Sequence, residues 1–237
     1  SATGANTIIM NSTVHSVKTK NITLMSNSKI RRDVDSTGTV TINSGCEIGT
    51  DSTSSTQYTL DAATVVADGN IKNNIRASGS VTLNSCTASY NVHAASIAVN
   101  SGTVNGNVNL TQNTTSTIAG TIRGNLYSNG PITINSGTVG ADGSKFVRAV
   151  SLNMTGGTLG ANTNINLTST STSVNHNIRA TSLNNVRVAR GNLTTIYGAT
   201  VNGTLYVGGS VTFSGIAPSA KKGFYCGNSN FYGIFCL

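Results

Sequence analysis

The amino-acid sequence predicts an all-β fold, a single parallel β-solenoid of short rungs over residues 1–216, followed by an aromatic, cysteine-containing tail over 217–237. Three observations predict it. Apolar residues alternate with period two in short runs such as Val40-Thr41-Ile42 and Ile132-Thr133-Ile134, the period of a strand with one buried face. Asn-Ser-Gly or Asn-Gly interrupts these runs every few residues, which is corner chemistry and hostile to a helix. The runs also recur at a short, imperfect interval, as stacked architectures require.

The composition fits such a rod. Asn (30), Ser (29), Thr (35) and Gly (26) make up just over half of the 237 residues, whereas charged residues are 9%. So few charges exclude a charged disordered tail and a Lys/Glu-rich helical protein. Apolar residues still reach 37%, enough for a core. No apolar run approaches the roughly 18 to 20 residues that a helix needs to cross a bilayer, so no membrane span is expected.

The strands follow in chain order. Val40-Thr41-Ile42-Asn43, Val81-Thr82-Leu83-Asn84, Ile97-Ala98-Val99-Asn100 and Ile132-Thr133-Ile134-Asn135 each offer two inward residues and a polar stop. The recurrent Asn tolerates the left-handed conformation of a corner, and equivalent amides stacked rung over rung can pass hydrogen bonds up a ladder. The stretch 121–134 aligns without a gap on 200–213, apolar residues falling on the same alternate places. A unit of about 16 residues, with strands about 4.8 Å apart, gives a rod on the order of 60 Å long.

The rungs Thr103-Val104-Asn105-Gly106-Asn107-Val108, Thr121-Ile122-Arg123-Gly124-Asn125-Leu126 and Thr200-Val201-Asn202-Gly203-Thr204-Leu205 resemble the V-x-G-x-V rungs of bactofilins, polymer-forming bacterial β-helices, and those of β-helical adhesins. The resemblance covers about residues 95–215 and implies the fold and a tendency to polymerise. Bactofilins are cytoplasmic. The cysteines of this chain and its scarcity of Lys and Glu depart from them, so the likeness does not extend to location.

Four cysteines, Cys46, Cys86, Cys226 and Cys236, agree with an oxidising compartment. The chain starts at Ser1 without a basic-plus-apolar leader, so the expected protein is secreted or surface-located after removal of a signal peptide. Cys226 and Cys236 are the favoured disulfide pair. Cys46 and Cys86 occupy like places in the repeat, and their pairing depends on how many rungs residues 46–80 hold. If they stand too far apart, an intermolecular disulfide is the alternative.

The tail holds Phe224, Tyr225, Phe231, Tyr232 and Phe235 in its last fourteen residues. A cap over the last rung and a surface that docks on a neighbouring subunit are both consistent with so dense an aromatic segment.

Charge is uneven. All seven acids lie at or before residue 142, so the formal excess of +8 is almost wholly C-terminal and should attract polyanions. His93, Arg123, Arg148 and Arg179 each follow a β-branched residue and precede a small residue or another rung, and are expected to form a basic column on one face. Few aromatics interleave with them outside the tail, so specific nucleic-acid binding is not expected.

Chemistry is sparse in this text. His15, His93 and His176 are isolated and expected on outer rung surfaces, no C-x-x-C or H-E-x-x-H occurs, and neither a phosphate loop nor a G-x-S-x-G elbow is present. Asp33 and Asp35, in Arg31-Arg32-Asp33-Val34-Asp35, face one side of a strand and are the single carboxylate pair suited to polysaccharide cleavage. Broken Thr arrays at Thr39-Val40-Thr41, Thr82, Thr133 and Thr212 make ice binding an outlier. The expectation is a non-enzymatic structural protein without cofactor or metal, its partners being copies of itself and, alternatively, acidic polysaccharide held by a surface adhesin.

Overall fold

The computed structural model describes residues 5–195, 200–213, 221–227 and 231–232. Among them every regular element is a strand, and the strands form a parallel β-solenoid of about 12 short turns. The chain divides into two compact units, residues 1–112 and 113–237.

In the N-terminal unit each turn contributes one strand to each of three parallel sheets. The first sheet starts with Asn6–Met10 and Asn21–Met25 and ends with Ser96–Val99. The second is built of two-residue strands such as Glu47–Ile48 and Asn70–Ile71. The third runs from Val17–Thr19 to Val108–Leu110.

Register explains why the alternation matters. Ile22 pairs with Val40, Val40 with Val65, Val65 with Val81 and Val81 with Ile97, so like stacks on like. All five side chains are at most 2% exposed. Burying a Val, Leu or Ile side chain contributes roughly 1.5–3 kcal/mol, and a slip by one residue would turn every such residue to solvent. The same register places outward residues in rows, so a surface feature in one rung is read directly against its neighbours.

The corner into the second sheet is narrow. Ser28, Cys46, Gly69, Cys86 and Gly102 immediately precede successive second-sheet strands. The Ser28 hydroxyl donates to the Ile9 carbonyl at 2.9 Å. Gly69 sits between the two cysteines, where a Cβ would collide with the carbonyl oxygens of Asn43 and Cys46. A sulfur on one rung is thus accommodated beside a glycine on the next.

The C-terminal unit begins in the same style, with second-sheet strands Thr121–Ile122, Thr138–Val139 and Thr158–Leu159. Beyond these no further strand joins the second sheet among the described residues. The seven-residue strand Ser182–Val188 then pairs with Thr163–Leu167 through a register shift between Thr163 and Ile165, and pairs onward with both Thr200–Val201 and Thr204–Val207. Two faces of the earlier rungs are carried here by one bent strand, as a bulge permits.

His176 departs from expectation in this region. It is inward-facing and fully buried in the strand Asn175–Ile178, paired with Leu193 in an otherwise aliphatic position. Its Nε2 lies 3.1 Å from the Arg190 carbonyl oxygen, and its Nδ1 has no partner among the described residues. Burial pulls its pKa below the usual imidazole value, an effect the Arg190 carbonyl partly opposes. The ring is therefore a neutral part of the core, not a surface group.

In the tail, Gly223–Cys226 pairs in parallel with Thr204–Val207, and Phe231–Tyr232 with Val211–Phe213. Residues 223–226 and 231–232 thus continue the ladders of the preceding rungs. Phe235 and Cys236 lie outside the described residues.

Candidate ligand-binding face

The outward positions of the third sheet carry most of the candidate chemistry. Residues two apart on each strand face solvent, and parallel register aligns them from rung to rung.

In the N-terminal unit this row reads Lys18, Asp35, Asp61, Arg76, His93 and Asn109. Lys18 Nζ meets Asp35 at 2.6 Å, and this charged hydrogen bond raises the lysine pKa. His93 Nδ1 lies 3.3 Å from the Asn109 amide nitrogen. Two shallow depressions flank Arg76 and His93. One, of about 380 Å³, is bordered by Asp61, Ser78 and Thr111, and the other, of about 290 Å³, by Thr59, Asn74 and Asn91.

Beside that row runs an amide ladder. The Asn91 backbone N–H and side-chain amide both donate to Asn74 Oδ1, at 3.2 and 3.3 Å, and the Asn107 N–H donates to Asn91 Oδ1 at 2.9 Å. The corner ladder expected at Asn84 and Asn100 also forms, with a 2.8 Å amide bond. The bonds from the Asn91 and Asn107 N–H groups satisfy backbone donors that would otherwise depend on water.

In the C-terminal unit the corresponding row reads Tyr127, Arg148, Asn166, Arg187, Tyr206 and Tyr225. Arg187 donates to Asn166 Oδ1 at 3.4 Å, and its guanidinium lies 5.8 Å from the centre of the Tyr206 ring. Phe146, two residues before Arg148, faces the same side. Among the described residues of this unit the exposed large apolar side chains are Tyr127, Phe146, Tyr206 and Tyr225, and all four belong to this face. The unit has one acid, Asp142, which lies away from the row beside Arg123 at 3.6 Å.

The basic column expected from sequence is thus redrawn. His93 and Arg148 do occupy the outward third-sheet row of their respective units. Arg123 instead sits at the corner after Thr121–Ile122, and Arg179 follows the first-sheet strand Asn175–Ile178, half-buried, with its backbone N–H directed at Met154 Sδ, 3.2 Å away. The three-residue pattern used to align them matches rung corners as well as strands, and so mixed positions from different faces. Arg187, Tyr127 and Tyr206 were missed, although Tyr127 and Tyr206 hold the same place in the gap-free pair 121–134 and 200–213.

Asp33 and Asp35 face one side of the third sheet, but both are engaged. Asp33 accepts the Thr59 N–H at 2.9 Å and Asp35 is paired with Lys18. Arg31 and Arg32 are both turned onto Asp51, at 3.0 and 3.4 Å, and Arg32 also lies 5.3 Å from the Tyr58 ring centre. Hydrogen bonding to Arg31, foremost, lowers the Asp51 pKa. Among the described residues no group of three or more His, Cys, Asp or Glu gathers as metal ligands, and no helix is long and apolar enough to cross a membrane.

Cys46 and Cys86 are buried thiols separated by the Gly69 rung. Two rungs at about 4.8 Å put their Cα atoms about 9–10 Å apart, beyond the roughly 7 Å a disulfide spans. They do not pair with each other. At 2% and 3% exposure, neither reaches a second chain, so the intermolecular bridge is not available to the folded rungs. Burial, chiefly, pushes the Cys86 thiol up to about 11, and its Sγ donates to the Ala67 carbonyl at 3.3 Å. Cys226 Sγ lies 2.9 Å from the Gly209 carbonyl oxygen, and the expected partner Cys236 is outside the described residues.

Of the aromatic tail residues, Phe224 pairs with Leu205 and is half-buried, whereas Tyr225 is 60% exposed. Phe231 and Tyr232 are placed by their backbone pairing alone, on Val211 and Thr212.

The likeness to bactofilins and β-helical adhesins is one of fold class, carried by the rungs quoted above. No protein-family profile, curated protein or solved structure matches this chain.

Proposed function

We propose that this chain is a non-enzymatic structural protein, the subunit of a secreted, self-assembling extracellular filament built by end-to-end addition of β-solenoids. The observation that carries this reading is the uninterrupted parallel ladder, in which each inner strand of the first and third sheets pairs with the strand one turn before it and the strand one turn after it. A ladder of this kind extends by adding one more parallel strand to it, and contacts between two unlike ends do not close, so they propagate.

Exposed apolar side chains on the strand Asn6–Met10 support the same reading. Ile8 is 65% and Met10 57% exposed, and Met10 stacks on the partly exposed Met25. The extracellular location belongs to the proposal and rests on cysteine usage at Cys226 and Cys236. Negative-stain electron microscopy of the purified chain, with and without reductant, tests it. Uniform fibres are expected, with loss or shortening when residues 223–237 are deleted. Short single rods at all concentrations would remove the filament, and unchanged fibres from the truncated chain would remove the tail from its assembly.

A second reading, a surface adhesin that holds acidic polysaccharide, is favoured by one observation. The outward third-sheet row of the C-terminal unit combines arginine and tyrosine without any carboxylate. Its general test is retention on an acidic glycan that weakens as salt rises.

A further inference from the structure

We infer that the third-sheet face of the C-terminal unit is a linear binding track for one extended uronate-containing polysaccharide chain, with Arg148 and Arg187 taking carboxylates and Tyr206 and Tyr225 taking sugar faces. The inference deepens the adhesin reading and rests on it.

Four features of the face select this ligand. The first is spacing: six outward side chains, from Tyr127 to Tyr225, follow one another at single-rung intervals of about 4.8 Å, giving a straight track of about 24 Å. A ligand extended along the row meets one outward side chain about every 4.8 Å. The second is charge. Residues 113–237 hold eight bases against one acid, and that acid, Asp142, is spent on Arg123. Arg148 and Arg187 therefore meet no carboxylate of the unit's own, and a planar guanidinium is suited to bidentate contact with a carboxylate ligand.

The third is aromatic exposure. Tyr206 and Tyr225 are adjacent in the row at 44% and 60% exposure, and exposed aromatics gathered on one face of a chain otherwise poor in them mark a contact surface. The fourth is preorganisation. Arg187 is held between the Asn166 amide and the Tyr206 ring, so ordering it on a ligand costs little. Asn166 itself supplies an amide of the kind that pairs with hydroxyls.

Single-stranded nucleic acid is the rival that shares this chemistry, since bases stack on aromatics and phosphates meet Arg. The track disfavours it because it carries two arginines for six rungs, and the residues two before the row on three of its strands, Asn164, Asn185 and Thr204, are uncharged.

The test uses the whole chain and three immobilised probes: polygalacturonate, a neutral dextran and an oligothymidylate. Polygalacturonate binding, measured by affinity electrophoresis at several salt concentrations, is expected to weaken about tenfold or more in Arg148→Ala/Arg187→Ala and by a similar factor in Tyr206→Ala/Tyr225→Ala. Arg76→Ala in the N-terminal unit, and Arg190→Ala off the track, should leave it within about twofold. Circular dichroism checks that each variant stays folded, and Arg148→Lys/Arg187→Lys, which keeps charge but not bidentate geometry, should retain only part of the binding. If polygalacturonate binds yet ignores the track variants, the track is overturned while the adhesin reading stands. If no acidic glycan binds, both fall. If oligothymidylate binds as tightly as polygalacturonate, or dextran does, the assignment to a uronate chain is overturned.

Discussion

The two units use the same outward third-sheet position to opposite ends. In the N-terminal unit the row answers its own charges: Lys18 meets Asp35, and Asp61 pairs in register with Arg76. In the C-terminal unit the row leaves arginine and tyrosine facing solvent without a carboxylate. The inward faces are in both units built chiefly of buried Val, Ile and Leu, with the inward His176 of the C-terminal unit as the exception. In a parallel in-register stack, then, the core decides that a rung forms and the outward row is open to specialisation, rung by rung, at little cost in stability.

The sharpest way to break this comparison is to attack the inward positions it treats as equal. Leu60→Ala in the N-terminal unit and Leu126→Ala in the C-terminal unit, each removing a fully buried side chain, should each cost about 2–5 kcal/mol by urea denaturation. A cost below about 1 kcal/mol in one unit alone would show that the cores are not equivalent.

Acid separates the units next. With its pKa lowered by burial, His176 is neutral in the folded chain, while the unfolded chain binds a proton near the ordinary value of about 6.5. Stability is complete above that pH and falls as pH drops toward the lower folded value, by at most about 1.4 kcal/mol per pH unit. Hydrogen exchange should show the loss first in strands around Asn175–Ile178 and not in residues 5–112. His176→Leu should abolish it, and an acid transition unchanged in that variant would clear the histidine.

The amide ladders come third. Asn91→Ala and Asn185→Ala each remove an acceptor for a backbone N–H, Asn185 serving Thr204 at 3.0 Å, and each should cost about 1 kcal/mol. A neutral outcome at both sites would show that water replaces the ladder. Smallest in stability is a graft of one row onto the other. Asp61→Tyr with Asp35→Arg should shift the denaturation midpoint by no more than about 0.5 kcal/mol, while retention on polygalacturonate increases. A graft that unfolds the N-terminal unit would contradict the freedom assigned to the outward row.

How much of this was legible in the text follows from what each residue has to satisfy. Alternation alone located the core strands, because Val40, Ile42, Val81 and Leu83 have no other way to be buried. The corner amides of Asn84 and Asn100 were legible from their recurrence. The outward third-sheet face was half legible: Arg148 does lie on it, but Arg123 and Arg179 follow a β-branched residue at corners and strand ends too, and local text does not tell one face of a rung from another. Tyr127 and Tyr206 stood in aligned repeats, yet their common facing required the register shift of Ser182–Val188 to be known. His176 was misplaced by residue type. Its spacing from the inward Ile178 already pointed inside, and preference for exposure overrode the period.

The cysteine–glycine corner sets a rule for how this chain can change length by whole turns. Gly69 is the spacer that keeps the Cys46 and Cys86 thiols apart, so excising residues 69–85 would bring the two sulfurs onto adjacent rungs. Their Cα atoms would then stand about 4.8 Å apart, inside the range a disulfide accepts. Loss of one turn would thus turn two inert thiols into a candidate crosslink, and the repeat number here is coupled to redox chemistry.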